Sequence, residues 1–432
     1  MTLSATLKRA LKPTVSRISD LWLTEVLARL SPPRKASPGQ GRHFAVLAPA
    51  VWGNTGDAAI IESFLARLHE AAPDARITLI VFAHGDRDRY AYLGVETASL
   101  QGFFGMTPKL SAMRAVTALN ATISDFVILG TDVLDGGYGE SASIRRLYLG
   151  VLAQRAGAAV SAVGFSFSDR ATPGLTAFMA AHCRDFAIIN RDAVSAARVA
   201  AVLGRPVPSG ADIAFLLPVP DAPTPAAAPV MAKVDAWRAE GRRVVMFNVN
   251  PVGLANAAPN IDIAACARAS AETLRLIGAA GPCAVVLATH DTRDGVADFM
   301  SGVMAQLPAD LPAALLHGLV RPGDFKLLCA RADLTLTGRM HMGIASLGVG
   351  TPAMFQDYQG KVEGLLGLFD APELKYAAAD ALAPERLAAM ALDRMDRKAE
   401  ISGKIEARLP AIRALSARNI DMAVNGSVKP DA

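Results

Sequence analysis

From His43 onward, short runs of apolar and β-branched residues alternate with longer stretches whose apolar residues recur at helical spacing. The runs predict strands at Phe44–Ala48, Ile77–Phe82, Phe126–Leu129, Ala159–Phe165 and Phe186–Ile189. The stretches between them predict helices at Asp57–Glu70, Lys109–Asn120, Ser141–Ala156, Leu175–Cys183 and Ala193–Leu203. Continuous apolar strands separated by helices are typical of a parallel sheet covered on both faces.

The same alternation restarts after a proline-rich stretch, Leu217–Pro229, which holds five prolines and is predicted to be a linker because proline interrupts helices and strands. Strands are predicted at Val244–Asn248, Ala284–Ala288, Ala314–Leu316, Leu334–Thr337 and Ala353–Gln356. Helices are predicted at Ile263–Ile277, Gly295–Gln306, Asp324–Ala330, Met342–Gly348 and Lys361–Leu368, with a helical tail from Ala383 to about Val424.

This pattern predicts an α/β protein with two doubly wound, Rossmann-like domains that face a cleft, the glycosyltransferase-B-like architecture, followed by C-terminal helices. The predicted divisions are a basic arm at 1–42, a first Rossmann-like domain at 43–217, a linker at 218–230, a second Rossmann-like domain at 231–378, and helices and tail at 379–432. Ligands of such sheets bind beyond the carboxyl ends of the strands, so residues that follow strands are the candidates for function.

Composition narrows the class of protein. With 432 residues, of which 52% are hydrophobic and 19% charged, the chain is long and apolar enough to form domains with buried hydrophobic cores. The four cysteines include no C-x-x-C pair, which argues against a disulfide scaffold or a zinc ribbon. No continuous apolar run is long enough to span a bilayer, so a soluble protein, or one peripheral at the inner membrane face, is expected. The scattered cysteines fit a reducing compartment, as the cytoplasm is.

The net charge of +4 is unevenly distributed, since residues 1–42 carry +6 and the rest of the chain carries −2. A folded body without excess basic charge argues against a nucleic-acid partner. Residues 3–30 space apolar side chains helically around Trp22, which suits a surface helix drawn to anionic lipid at the inner membrane face. A plain extension, or a helix packed on the body, is the competing interpretation.

Two polar motifs follow strands in the first half. The first motif is the loop Trp52–Asp57. In one interpretation its backbone amides, Asn54 and Gly56 face the cleft and contact a ligand. In the other it is a turn, and Asp57 is the N-cap of the next helix. Gly130–Tyr138 includes Asp132, which is suited to holding a sugar hydroxyl or to making a turn. No third metal-binding side chain lies near Asp132 and Asp135 in the sequence, so no metal site is predicted.

Arg191 follows the strand Phe186–Ile189, and its planar guanidinium suits a phosphate or a carboxylate, with a structural ion pair as the alternative. His290 follows the strand Ala284–Ala288 and is either a cleft ligand or a structural histidine. Directly after His290, Asp291 or Thr292 is expected to cap the following helix.

The most informative segment is Leu334–Pro352. A strand ends at Thr337, Gly338 makes the turn, and Arg339 and His341 stand where a helix begins. The amides and positive dipole end of a helix N-terminus bind anions, an arginine adds a bidentate grip, and an imidazole can move a proton near pH 7.

These motifs together resemble the polysaccharide pyruvyl transferase family. The resemblance rests on Gly53-Asn54-Thr55-Gly56-Asp57, on Arg191-Asp192-x-x-Ser195, and on Gly338-Arg339-Met340-His341 with Gly350-Thr351-Pro352 and Lys361, and it covers about residues 44–370. Met340 stands where the family commonly has leucine, and Gly130-Thr131-Asp132 replaces a longer glycine run.

The resemblance implies transfer of a pyruvyl group from phosphoenolpyruvate to two hydroxyls of a saccharide, with no cofactor beyond that donor. Phosphoenolpyruvate is then expected on Arg191, Gly338, Arg339, His341, His290 and Lys361, and the acceptor on Asn54, Gly56 and Asp132. His341 is expected to act as a general acid or base, with Asp57 in the other role. A glycosyltransferase that uses a nucleotide-sugar and a non-catalytic carbohydrate-binding relative are the alternatives, and the oligomeric state is left open.

Overall fold

The computed structural model describes residues 41–104, 110–249, 262–291, 296–318, 320–357 and 362–428. These residues form two compact units. Unit 1 contains residues 41–52, Phe64–Ile213 and 415–428, and unit 2 contains Gly53–Ser63 and Ala214–Ala414. The basic arm predicted at 1–42 lies almost wholly outside the described residues, and its membrane contact stays a prediction.

Unit 1 is built on a six-stranded parallel sheet with the strand order β3-β2-β1-β4-β5-β6. Its strands are β1 (His43–Leu47), β2 (Arg76–Val81), β3 (Glu96–Ser99), β4 (Asp125–Thr131), β5 (Ala159–Phe165) and β6 (Ala187–Asn190). The helices along this part of the chain are α1 (Thr55–Ala71), α2 (Asp86–Arg89), α3 (Gln101–Phe104), α4 (Leu110–Asn120), α5 (Glu140–Arg155), α6 (Pro173–His182) and α7 (Ala193–Leu203). The residues of α1 up to Ser63 belong to unit 2.

Unit 2 repeats the plan with a second six-stranded parallel sheet, in the order β12-β11-β10-β7-β8-β9. Its strands are β7 (Arg243–Asn248), β8 (Cys283–Ala288), β9 (Ala313–Leu316), β10 (Leu334–Thr337), β11 (Ala353–Asp357) and β12 (Lys375–Ala377). The helices are α8 (Ala228–Ala239), α9 (Ile263–Ala279), α10 (Val296–Met304), α11 (Pro322–Cys329), α12 (Met340–Leu347), α13 (Val362–Phe369), α14 (Pro384–Asp396) and α15 (Lys398–Asn425), of which α15 continues into unit 1 from Leu415.

The core of unit 2 lies on both faces of its sheet because successive strand residues point to opposite sides. Val245 and Phe247 belong to an apolar cluster with residues of α9 and α14. Val244 and Met246 belong to a second cluster with residues of α8 and α11. The strands therefore read as continuous apolar runs, as parallel strands covered by helices on both faces do.

The two doubly wound sheets confirm the predicted α/β, Rossmann-like fold. Two edge strands, β3 and β12, were not predicted, since both are short and lack an apolar run. The linker prediction was wrong at its end, because α8 begins at Ala228 and Pro229 occupies its first turn. Proline is tolerated there, where an amide hydrogen has no helical partner to lose. Among the described residues, no helix combines the length and apolarity that a bilayer crossing requires.

Candidate functional site

The first element of the site is the start of α1. The Asn54 side-chain oxygen accepts hydrogen bonds from the amides of Gly56 at 2.8 Å and Asp57 at 3.3 Å. Asn54 is therefore the N-cap of α1, and the prediction that Asp57 caps this helix was wrong. Asp57 lies in the first helical turn instead and is 8% exposed.

The second element is the turn after β10, which the sequence predicted at these residues. The Gly338 amide donates to the Asn248 carbonyl at 2.7 Å, and the Arg339 amide donates to the Thr337 hydroxyl at 2.9 Å. These bonds fix the turn that ends at Arg339, the N-cap residue of α12. Arg339 and His341 thus stand at the start of an eight-residue helix, where free amides and the helix dipole favour an anion.

The two elements touch at Gly56 and His341. A Cβ atom added to Gly56 would lie 2.6 Å from Cγ and 2.7 Å from Cβ of His341, closer than such atoms approach. Only glycine fits at this position, so the backbone of α1 packs directly against the imidazole. This contact explains why the motif after β1 carries glycine at its fourth position.

Asp291 joins the same cluster from the end of β8. Its carboxylate is 4% exposed, accepts a hydrogen bond from the Asn54 amide at 3.4 Å, and lies 3.9 Å from Nη1 of Arg339. The Nε atom of Arg339 is buried and has no hydrogen-bond partner among the described residues. The Asp291 carboxylate therefore lies near one end of the guanidinium, and Nε is a buried donor that another group can use. The sequence prediction placed Asp291 or Thr292 at a helix cap and missed this contact.

His290 is 3% exposed, and its carbonyl accepts the Thr55 amide at 3.0 Å. Its ring meets Phe325 edge-on with the centroids 5.9 Å apart. The structure thus brings His290 to the start of α1, beside Asn54 and His341. Ligand contact by His290 stays a prediction.

A cavity of about 10 Å³ lies between α1, α11 and α12. Its lining includes Thr55, Gly56, Ala59, His290, Lys326 and His341. A cavity of this volume is about large enough to hold one water molecule. Lys326 had no place in the sequence prediction, although a lysine within Phe325–Cys329 interrupts an apolar run.

Three further residues were predicted to contact the substrates. Arg191, in unit 1, is 6% exposed, pairs with Asp212 at 2.9 Å and donates to Ser166 at 2.7 Å. Asp132, also in unit 1, accepts a hydrogen bond from the Tyr138 hydroxyl at 3.1 Å. Lys361 lies outside the described residues. The substrate contacts expected of these three residues stay predictions.

The chain resembles solved structures over most of its length. The UDP-GlcNAc 2-epimerase of Neisseria meningitidis, bound to UDP-GlcNAc, is 8% identical with a TM-score of 0.58, covering 89% of this chain and 100% of that one. The Staphylococcus aureus protein MnaA with UDP is 11% identical with a TM-score of 0.59, covering 90% and 100%. Medicago truncatula UGT71G1 with UDP-glucose is 12% identical with a TM-score of 0.54, covering 89% and 98%. At such identities the likeness establishes the fold, and no curated protein matches the sequence.

The fold is the two-domain, Rossmann-like architecture of glycosyltransferase-B-like proteins. The family model described as polysaccharide pyruvyl transferase matches residues 54–360, which is most of the chain. The match begins at Asn54, the cap of α1, and includes Arg339 and His341. The chain belongs to the polysaccharide pyruvyl transferase family.

Proposed function

We propose that the protein transfers a pyruvyl group from phosphoenolpyruvate to two hydroxyls of a saccharide, forming a cyclic ketal and releasing inorganic phosphate. The observation that carries the proposal is the cluster at the start of α12. There, the buried Nε of Arg339 has no partner among the described residues and His341 packs against the start of α1. We call Arg339, His341 and the first turn of α12 the donor site.

The donor's chemistry matches these groups. Phosphoenolpyruvate carries a carboxylate and a phosphate, which require cationic or amide partners. Arg339 offers a planar fork suited to either group, and the start of α12 offers amides and a positive dipole. The Asp291 carboxylate lies 3.9 Å from Nη1 of Arg339, whereas Nε has no partner among the described residues, so the anion is expected at the Nε side.

The reaction needs proton transfer at two stages. A proton added to the methylene carbon makes the neighbouring carbon electrophilic, and a sugar hydroxyl attacks there and loses its proton. The second hydroxyl then displaces phosphate to close the ketal and also gives up its proton. His341 is the proposed acid or base because it stands at the same helix start as Arg339 and histidine is the residue that most often transfers protons in enzymes. Asp57, in the first turn of α1, is the second candidate.

Calorimetric titration tests the donor assignment. Arg339→Ala is expected to weaken phosphoenolpyruvate binding by roughly 10- to 150-fold, since a charge-assisted hydrogen bond contributes about 1.5–3 kcal/mol. Arg339→Lys is expected to recover only part of the affinity because an ammonium group cannot reproduce the fork. Arg268→Ala on α9, whose side chain is 62% exposed, is the matched control and should bind like the wild type.

The same titration separates the competing functions. Unchanged phosphoenolpyruvate affinity in Arg339→Ala would remove this arginine from the donor site. Binding of UDP-GlcNAc in place of phosphoenolpyruvate would favour a nucleotide-sugar donor. Binding of a saccharide alone, with neither donor, would indicate a carbohydrate-binding relative without activity.

A further inference from the structure

Lys326 is a buried lysine that the proposed reaction does not use. It lies in α11, where every residue is buried, and the lysine itself is 1% exposed. Its Nζ donates a hydrogen bond to the Leu217 carbonyl. Among the described residues no carboxylate forms an ion pair with Lys326, and the positive charge of Arg413 also acts on it. A buried ammonium group without a carboxylate partner is costly to the folded state, which asks for a reason beyond packing.

The position of Lys326 connects it to His341 through α12. Both side chains line the same cavity, together with Met342 and Ala345 on that helix. At the far end of α12, a Cβ atom on Gly348 would lie 3.4 Å from Lys326 Nζ. Gly348 lies seven positions after His341, which corresponds to a rise of about 10 Å along the helix axis.

We propose that Lys326 is a further residue of the donor site, a buried amine that takes up a proton when a phosphate-bearing anion binds at Arg339 and His341. The proposal rests on the proposed function for the location of that anion. It adds a second source of positive charge, which appears in full only when the anion is present.

The physical reason is the competition between burial and an incoming negative charge. Burial, and to a smaller extent Arg413, lowers the pKa of Lys326 to about 8. A negative charge about 10 Å away in the protein interior raises the pKa of a lysine by about one. The amine is therefore partly neutral in the free protein above pH 8 and becomes charged when the anion binds.

Other titratable and charged groups lie on the elements around Lys326. His290 and His341 line the cavity, and Asp57 lies in the first turn of α1. On α15, Arg413 donates to the Gly348 carbonyl and Glu406 faces Gly350. Cys329 shares α11, and burial raises the pKa of its thiol to about 12. Measurements at pH 8.5 separate the amine from imidazoles, which ordinarily titrate near pH 6.5.

Calorimetry of the full chain at pH 8.5, in two buffers of different ionisation enthalpy, measures the protons taken up with phosphoenolpyruvate. Wild type is expected to take up about half a proton, and its dissociation constant is expected to rise up to about tenfold between pH 7 and pH 10. Lys326→Arg should lose both the uptake and the pH dependence while keeping its affinity, because arginine stays charged. Lys326→Met should lose the uptake and bind more weakly at pH 7.

Lys233→Met, an exposed position on α8, is the control and should behave like the wild type. Equal proton uptake in wild type and Lys326→Arg would overturn the proposal while leaving the proposed donor intact.

If phosphoenolpyruvate does not bind, the proposed function fails, and inorganic phosphate becomes the probe in the same titration. Phosphate binding with uptake that depends on Lys326 would support the role of Lys326 alone. Phosphate binding without that uptake, or failure of both anions to bind, would overturn it.

Discussion

Gly56 and His341 show how closely a single side chain is fitted at this site. The added Cβ of Gly56→Ala would lie 2.7 Å from His341 Cβ, so the imidazole must move. Alanine is the better helix former, so helix propensity predicts no loss of folding. We expect turnover to fall by at least about tenfold, because misplacing a reacting group by 1 Å can cost about 100-fold. Phosphate release at saturating phosphoenolpyruvate measures this.

The matched control for that variant is Gly302→Ala. Gly302 lies in α10, and a Cβ there meets no atom within 4 Å. Normal turnover is expected in Gly302→Ala. A Gly56→Ala protein with wild-type turnover would show that the position of His341 is unimportant for the reaction.

Because Lys326 is buried, the free energy of unfolding is expected to depend on pH. The pKa of Lys326 is about 8 in the folded protein, below its ordinary value of 10.5, because of burial. The unfolded chain therefore binds more protons between these values, and the free energy of unfolding rises with pH across that window. This contribution amounts to about 3 kcal/mol in total.

Urea denaturation at pH 7.5 and pH 10 checks this expectation. Buried Cys183 and Cys329, whose thiol pKa values burial raises to about 12, act in the opposite direction, so the difference between wild type and Lys326→Met isolates the lysine. The difference in the free energy of unfolding between the two proteins is expected to change by about 3 kcal/mol between the two pH values. A constant difference would mean that Lys326 has an ordinary pKa.

At the scale of elements, the contact between Gly343 and Phe355 sets the distance between α12, which carries the donor site, and the sheet beneath it. A Cβ on Gly343 would overlap the Phe355 ring, whose Cδ1 would lie only 3.0 Å away. Gly343→Ala should therefore push α12 from the sheet and destabilise the protein by about 1–3 kcal/mol. Gly403→Ala on α15, where a Cβ meets nothing within 4 Å, should be neutral or stabilising in the same denaturation assay. Equal stability of the two variants would contradict the tight packing of α12.

The elements also show what the sequence could and could not supply. The buried strands β5 and β10 were predicted to the residue. The Arg339–His341 turn was predicted because a polar group after such a strand must lie at the carboxyl edge. Asp291, which contacts Arg339 and Asn54, and Lys326, which lines the cavity, depend on packing between elements distant in the sequence. No local pattern encodes such contacts.

At the scale of the whole molecule, the charge of the chain is concentrated in residues 1–42, which carry +6. We expect this segment to bind anionic lipid while the folded body performs the reaction. A chain that starts at Gly41 should lose cosedimentation with vesicles containing anionic lipid at physiological salt and keep its turnover. Undiminished cosedimentation of the shortened chain would refute a role for the segment in membrane contact.

One steady-state measurement tests the proposed pyruvyl transfer most directly. Phosphate release from phosphoenolpyruvate is followed with and without a panel of saccharides, and the product is examined by NMR for a ketal carbon. Wild type should release phosphate only when an acceptor is present, and His341→Ala should lower the maximal rate by about 10²–10⁴-fold with donor affinity reduced far less. A wild-type chain that turns over a UDP-sugar, and that releases no phosphate from phosphoenolpyruvate with any acceptor, would contradict the account.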